Sequence, residues 1–166
     1  MWHLITKYFH RYPAQARVAQ LLLQCGLSVR EDGIYCDRIA VPDTSLARAA
    51  GVDRRVIAAT VETIRREPDL LRVFSRLLPT CHLKDAAPAL NWGVLEIIPV
   101  DARSPGILAG VADIIARRGI SLRQAIVDDP ELTEEPRLYV VTDVPVPADL
   151  IHEIRQSRGV KSVVIR

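Results

Sequence analysis

The chain has 166 residues, enough for one large domain or two small ones, and its 49% apolar and 25% charged content is that of an ordinary globular protein, not a disordered one. No apolar run approaches the roughly 20 residues that a membrane helix needs. The net charge of +2 divides unevenly: residues 1–88 carry 13 Lys and Arg against 9 Asp and Glu, residues 89–166 carry 9 against 11, and so the halves read as two domains with different partners.

The first residues, MWHLITKYFHRYP, have no signal-peptide core and no small-residue cleavage site. Cys25, Cys36 and Cys81 stand at no metal spacing and are expected as thiols in a reducing compartment. Both point to the cytoplasm. The adjacent pair Cys81-His82 has no companion motif and reads as structural.

Trp2–Tyr8 allows a short helix. Pro13 suits a first helical turn and opens a better one, with Val18, Leu21, Leu22 and Cys25 on one face and Gly26 as its stop. A β-hairpin is expected next: Leu27–Arg30, a turn at Glu31-Asp32-Gly33, then Ile34–Cys36, with Arg38–Val41 as a further extended piece.

The following stretch, TSLARAAGVDRRVIAATVETIRR, resembles a helix-turn-helix. Leu46, Ala47 and Ala50 lie on a first helix, Gly51 makes the turn, Val52 plugs the gap, and Asp53 caps a second helix by accepting from its free N–H groups. The small residue four before the glycine is Ala47, and the apolar residue six after it is Ile57. Thr60, Val61 and Ile64 complete the inward face, Thr60 being more polar than the pattern prefers. The resemblance implies a DNA reader whose second helix enters the major groove with Arg54 and Arg55 against base edges, where arginine donates twice to guanine. Thr44, Ser45 and Arg48 would meet phosphate. Arg65 and Arg66 lie about three turns further on, too far to read the same bases. Leu70–Leu78 is expected as a short amphipathic helix that completes the helical core.

Pro79–Leu90 has two prolines and no apolar period, and residues 81–90 read as a linker between a helix-turn-helix domain, residues 1–80, and a second domain, residues 91–166. There an apolar run, Val94–Val100, ends in a turn, Asp101–Gly106. A helix follows with Ile107, Leu108, Val111, Ile114 and Ile115 at helical spacing, Gly119 stops it, and Ile120–Val127 is a second strand. The acidic loop Asp128–Pro136 reads as a solvated turn. A third strand, Leu138–Thr142, a helix, Pro147–Ser157, and a last strand, Val160–Ile165, complete the order βαββαβ.

This second half, Asn91–Arg166, resembles the ACT domain, a small-molecule-sensing module usually selective for amino acids. The resemblance implies a ferredoxin-like fold, a dimer or higher homo-oligomer, and an effector at the strand-to-helix turn beside the start of the second strand. The implied ligand residues are Asp101, Arg103, Ser104, Pro105, Gly106, Ile107 and Ser121. Asp101 would accept from an ammonium, the Gly106 and Ile107 amides would hold a carboxylate, and Arg103 would pair with an acid. Many binding members carry asparagine or histidine where Asp101 and Arg103 stand.

The whole is expected as an α+β protein: a mainly helical helix-turn-helix domain with a small β-hairpin, then a ferredoxin-like βαββαβ domain. It looks like the predicted prokaryotic, largely archaeal, regulators of amino-acid metabolism that join these modules. Expected partners are DNA and a small-molecule effector, with no membrane, metal or cofactor. An enzyme is not expected, because GxSxG, P-loop, GxGxxG and HExxH are all absent and His3, His10, His82 and His152 are scattered. The alternative is a ligand-sensing adaptor whose helical domain binds a protein rather than DNA.

Overall fold

The computed structural model describes residues Trp2–Arg166, which divide into two compact units with the boundary between Cys81 and His82. No helix among the described residues is long and apolar enough to cross a membrane.

The first unit is built from α1 (Trp2–Phe9), α2 (Pro13–Gln24), β1 (Ser28–Val29), β2 (Ile34–Cys36), β3 (Ile39–Val41), α3 (Asp43–Ala50), α4 (Arg54–Arg66) and α5 (Pro68–Phe74). The strands form an antiparallel sheet in the order β1-β2-β3, so the expected hairpin gains a third strand through the turn at Asp37, whose φ is +52°. The core runs through every helix: Ile5 and Phe9, Val18 and Leu22, Leu46 and Ala47, Ile57 and Ile64, Leu70 and Phe74 are all buried. Two expectations shift. Cys25 is exposed, because it is the C-cap of α2 and lies past the helical face, and Ala19 takes the core position instead. The last helix stops at Phe74, four residues short of Leu78, which is 65% exposed.

The second unit contains β4 (Gly93–Pro99), α6 (Ile107–Arg117), β5 (Leu122–Val127), β6 (Leu138–Thr142), α7 (Ala148–Gln156) and β7 (Val160–Ile165). The sheet is antiparallel in the order β5-β6-β4-β7, which puts the first and third strands of the βαββαβ run at its centre, as in ferredoxin-like folds. Side chains alternate across a strand. Leu95, Ile97, Leu138 and Val140 face the helices and pack with Val111, Ile115, Leu150 and Ile154.

The other face of the sheet carries a correction. Residues 81–90 do not form a loose linker. A 3-10 turn, Ala87–Leu90, sets Ala87 at 0% exposure against Val94 and Val141, with Leu83 and Trp92 beside it. Upstream of that turn, His82 meets the Tyr139 ring edge-on at 4.9 Å, and the Lys84 ammonium lies 4.5 Å from the same ring. The Leu83 amide donates to Gln124 Oε1 at 2.9 Å. From His82 onward the stretch is therefore a strap across part of the sheet and belongs to the second unit, whereas Cys81 falls in the first.

Candidate functional site

The helix-turn-helix pairs α3 with α4. Gly51, at φ +62°, occupies the left-handed region that lets the chain reverse between them. The Val52 amide then donates to the Ala47 carbonyl at 3.0 Å, and Ala47 is 7% exposed where the helices meet. Asp53 caps α4: its carboxylate accepts from the Arg55 amide at 2.8 Å. Ile57, Thr60, Val61 and Ile64 all turn inward. Thr60 is tolerated at 0% exposure because its hydroxyl donates to the Val56 carbonyl at 2.7 Å, one turn back.

With that face buried, Arg54, Arg55, Ala58 and Ala59 are left exposed at the start of α4, and Thr44, Ser45 and Arg48 are exposed on α3. Thr44 and Arg48, four residues apart, share one face of α3. A shallow groove of about 410 Å³ joins Asp43 and Asp53 to Arg54, Arg55 and Ala58, so two carboxylates flank the arginines. A neighbouring groove of about 360 Å³ brings Arg11, Tyr12 and Gln15, at the start of α2, beside Arg55 and Ala59. These three were not identified from the sequence, because they stand some 40 residues from α4 and carry no pattern that links them to it. Arg65 is not part of this face: its guanidinium donates from Nε and Nη2 to the Arg30 carbonyl at 3.1 and 2.7 Å and ties α4 to the β1–β2 turn.

In the second unit the β4–α6 turn is closed by its own residues. The Asp101 carboxylate accepts from the Arg103 amide at 2.9 Å, and the Asp101 carbonyl accepts from Ser104 at 3.0 Å. Gly106 has φ +90°, and a Cβ there would meet nothing within 4 Å, so glycine serves the backbone angle and not a close approach. Among the described residues no side chain caps α6, and its first amides are left open to solvent or a ligand.

The seven implied ligand residues do not converge. Ser104, Gly106 and Ile107 line a pocket of about 140 Å³ with Pro99, Leu108, Val127, Pro136, Arg137 and Leu138. Asp101 and Arg103 line an adjoining, more open cavity of about 490 Å³ with Arg137, Lys161 and Glu134. Pro105 is exposed and lines neither. Ser121 sits beyond the opposite end of α6, roughly 16 Å away at 1.5 Å per residue, where its amide donates to the Asp143 carboxylate at 3.2 Å. The reason is topological: β5 runs parallel to β4, so its start lies at the far end of the sheet. What meets the turn within one chain is the end of β5 and the start of β6.

Arg137, at that start, has a partner that sequence reasoning overlooked. Its Nη1 donates to Glu96 Oε2 at 2.6 Å, and Arg166 donates to the other oxygen of the same carboxylate. Glu96 is 1% exposed, on the sheet face away from the helices. Burial pushes its pKa up, but the two guanidiniums outweigh burial and hold it below the ordinary glutamate value. The acidic loop is also more ordered than a solvated turn: Asp128 accepts from the Arg137 amide at 3.1 Å, and Asp129 from the Glu131 amide at 2.8 Å. No cluster of three or more His, Cys, Asp or Glu able to hold a metal occurs among the described residues.

No family model and no curated protein matches the chain. Among solved structures, a glycine-to-threonine mutant of Rv3291c is similar at 18% identity, covering 92% of this chain and 89% of that one, with a TM-score of 0.31. An AsnC family transcriptional regulator from Agrobacterium tumefaciens is similar at 11% identity, covering 92% of this chain and 86% of that one, also with a TM-score of 0.31. Both are distant likenesses.

Proposed function

We propose that the protein is a ligand-responsive transcriptional regulator of amino-acid metabolism, acting in the cytoplasm without catalytic activity or cofactor. The observation that carries this reading is the start of α4: a glycine turn and an aspartate cap hold two exposed arginines, Arg54 and Arg55, at the position from which a recognition helix reads base edges. Thr44, Ser45 and Arg48 on α3 supply phosphate contacts. The second unit is the sensor, an ACT-like domain whose effector, an amino acid, binds beside the β4–α6 turn.

That unit also supports a homodimer. Its sheet ends in β7, an edge strand with Val164 and Ile165 40% and 56% exposed, and an open edge with apolar side chains favours pairing. A dimer doubles the positive charge and supplies two half-sites. Effector acts by binding one arrangement of the dimer better than the other. The adaptor alternative draws nothing from the helix that follows α4, since α5 spends Leu70 and Phe74 on the core.

Selection of duplexes from a random pool, followed by anisotropy titration with the selected duplex, tests the assignment. Affinity should fall steeply with salt through counterion release. The double variant Arg54→Ala, Arg55→Ala should lose binding and keep the sedimentation behaviour of the parent. Unchanged affinity in that variant would refute the recognition-helix assignment.

A further inference from the structure

Two ridges of α4 stay exposed at its start. Arg54 and Ala58, four residues apart, form one, and Arg55 and Ala59 form the other, about 100° further round the helix. Each ridge borders a different neighbour. The groove beside the first reaches Asp43, where α3 begins, and the groove beside the second reaches Arg11, Tyr12 and Gln15, where α2 begins. Arg55 lines both grooves. The exposed face of α4 is therefore flanked on one side by α3 and on the other by the start of α2.

The two flanks differ in charge. Asp43 and Asp53 stand on the α3 side. The groove on the α2 side has Arg11 and Arg55 and, among the described residues that line it, no Asp or Glu. The sequence extends this contrast, since residues 1–30 include Lys7, Arg11, Arg17 and Arg30 and no acid. The α2 flank is also held in place. The Tyr12 amide donates to the Phe9 carbonyl at 2.8 Å, and Phe9 is buried in the core. Pro13 fixes the next backbone angle. The Gln15 side chain lies 3.2 Å from the Thr63 hydroxyl, which ties the first turn of α2 to α4. Arg11 and Tyr12 themselves remain exposed, Tyr12 at 56%.

A helix in the major groove lies between two phosphate strands, one on each wall of a groove roughly 12 Å wide. We propose that Arg11 and Tyr12 bind the phosphate strand on the wall opposite the one met by Thr44, Ser45 and Arg48, so that α2 and α3 clamp the duplex from the two sides of α4. The proposal rests on the recognition-helix reading above and adds the second wall. Arginine pairs with phosphate by charge and geometry, and a tyrosine hydroxyl donates to a phosphate oxygen. Such contacts position a protein without reading sequence, so this flank sets how α4 sits in the groove.

Anisotropy titration of the full chain with the selected duplex and with a scrambled one tests this, using the parent, Arg11→Ala, Tyr12→Phe and Arg76→Ala. Arg76 is an exposed arginine two residues before Leu78, whose carbonyl a Cβ on Gly26 would strike, so it lies toward the other end of α2. Arg11→Ala should weaken binding to both duplexes by about tenfold, the worth of a charge-assisted hydrogen bond, and flatten the slope of log affinity against log salt by about 0.9. Tyr12→Phe should weaken both by a smaller common factor. Arg76→Ala should stay near the parent in affinity and slope. Neutral methylphosphonates placed one at a time in the selected duplex locate the contacts. The position whose cost disappears in Arg11→Ala should lie on the strand across the major groove from the one whose cost disappears in Arg48→Ala. Parental affinity in Arg11→Ala or Tyr12→Phe, a loss confined to the selected duplex, an equal loss in Arg76→Ala, or mapping of Arg11 and Arg48 to one strand overturns the proposal and leaves the recognition-helix reading intact. Failure of the parent to bind any duplex in the pool overturns both.

Discussion

Glu96 sits in the centre of the second sheet with its carboxylate fully shielded, a placement that is costly unless the charge is paired. Arg137 and Arg166 pair it from two directions. Because its folded-state pKa lies below the ordinary glutamate value, the stabilisation is fully present above that value and is lost as pH falls through the folded-state pKa. Urea unfolding followed from neutral to acid pH should therefore show a decline that Glu96→Gln lacks. Arg137→Met leaves the buried charge with Arg166 alone and should cost about 3–5 kcal/mol at neutral pH, as removal of one partner of a buried pair does. If Arg137→Met is neutral, the pair does not hold the sheet. None of this was legible in the sequence. Within LEIIP a single acid looks like an outward-facing strand residue, and its partners lie 41 and 70 residues away. Local pattern gives no sign of which strands will bring charges together.

At the scale of elements, local signals carried the reading where the chemistry itself is local. The turn between α3 and α4 needs a left-handed residue, a small side chain at the crossing and a cap, and Gly51, Ala47 and Asp53 supply them within seven positions. That is why the helix-turn-helix and its exposed arginines are legible in the sequence. Ala47→Leu would force a larger side chain into a contact where the Val52 amide is already bonded to the carbonyl of the same residue. It should destabilise the first unit by about 1–3 kcal/mol, the usual cost of overpacking, and weaken the proposed DNA binding by displacing α4. Chemical denaturation monitored at Trp2, a half-buried residue of the same core, would report it. Parental stability in Ala47→Leu would mean that the crossing is looser than the burial of Ala47 implies. Periodicity misled at two helix ends. The apolar spacing runs on through Leu77 and Leu78, and the helical face of α2 through Cys25, but α5 and α2 stop earlier. An apolar period marks a face, and it does not mark where the backbone leaves the helix. The β4–α6 turn divides in the same way. Its strand, Pro-Gly turn and helix were legible, whereas the partners of the turn from β5 and β6 depend on strand order and were not.

Over the whole molecule, the division into two units follows from two separate apolar cores, and the charge asymmetry of the halves anticipated it. The boundary did not follow. Prolines and the lack of an apolar period made residues 81–90 look like connecting chain, because burial of a few small residues leaves no periodic trace. Ala87 is nonetheless fully buried, Leu83 packs with it, and His82 and Lys84 cover the Tyr139 ring. A ferredoxin-like unit has helices on one sheet face, and the strap covers part of the other. Removing it would expose Val94 and Val141 and take from Gln124 Oε1 its bond from the Leu83 amide. A fragment of residues 82–166 should therefore fold with a cooperative melt, and one of residues 91–166 should be less stable by roughly 2–3 kcal/mol of lost apolar burial. For a unit of this size that is about 10 °C or more in melting midpoint. Thermal melts of the two fragments, followed by circular dichroism, measure the difference directly. Equal midpoints would return residues 82–90 to the status of a linker. A large gap would place the structural start of the second unit at the strap, ahead of its first strand.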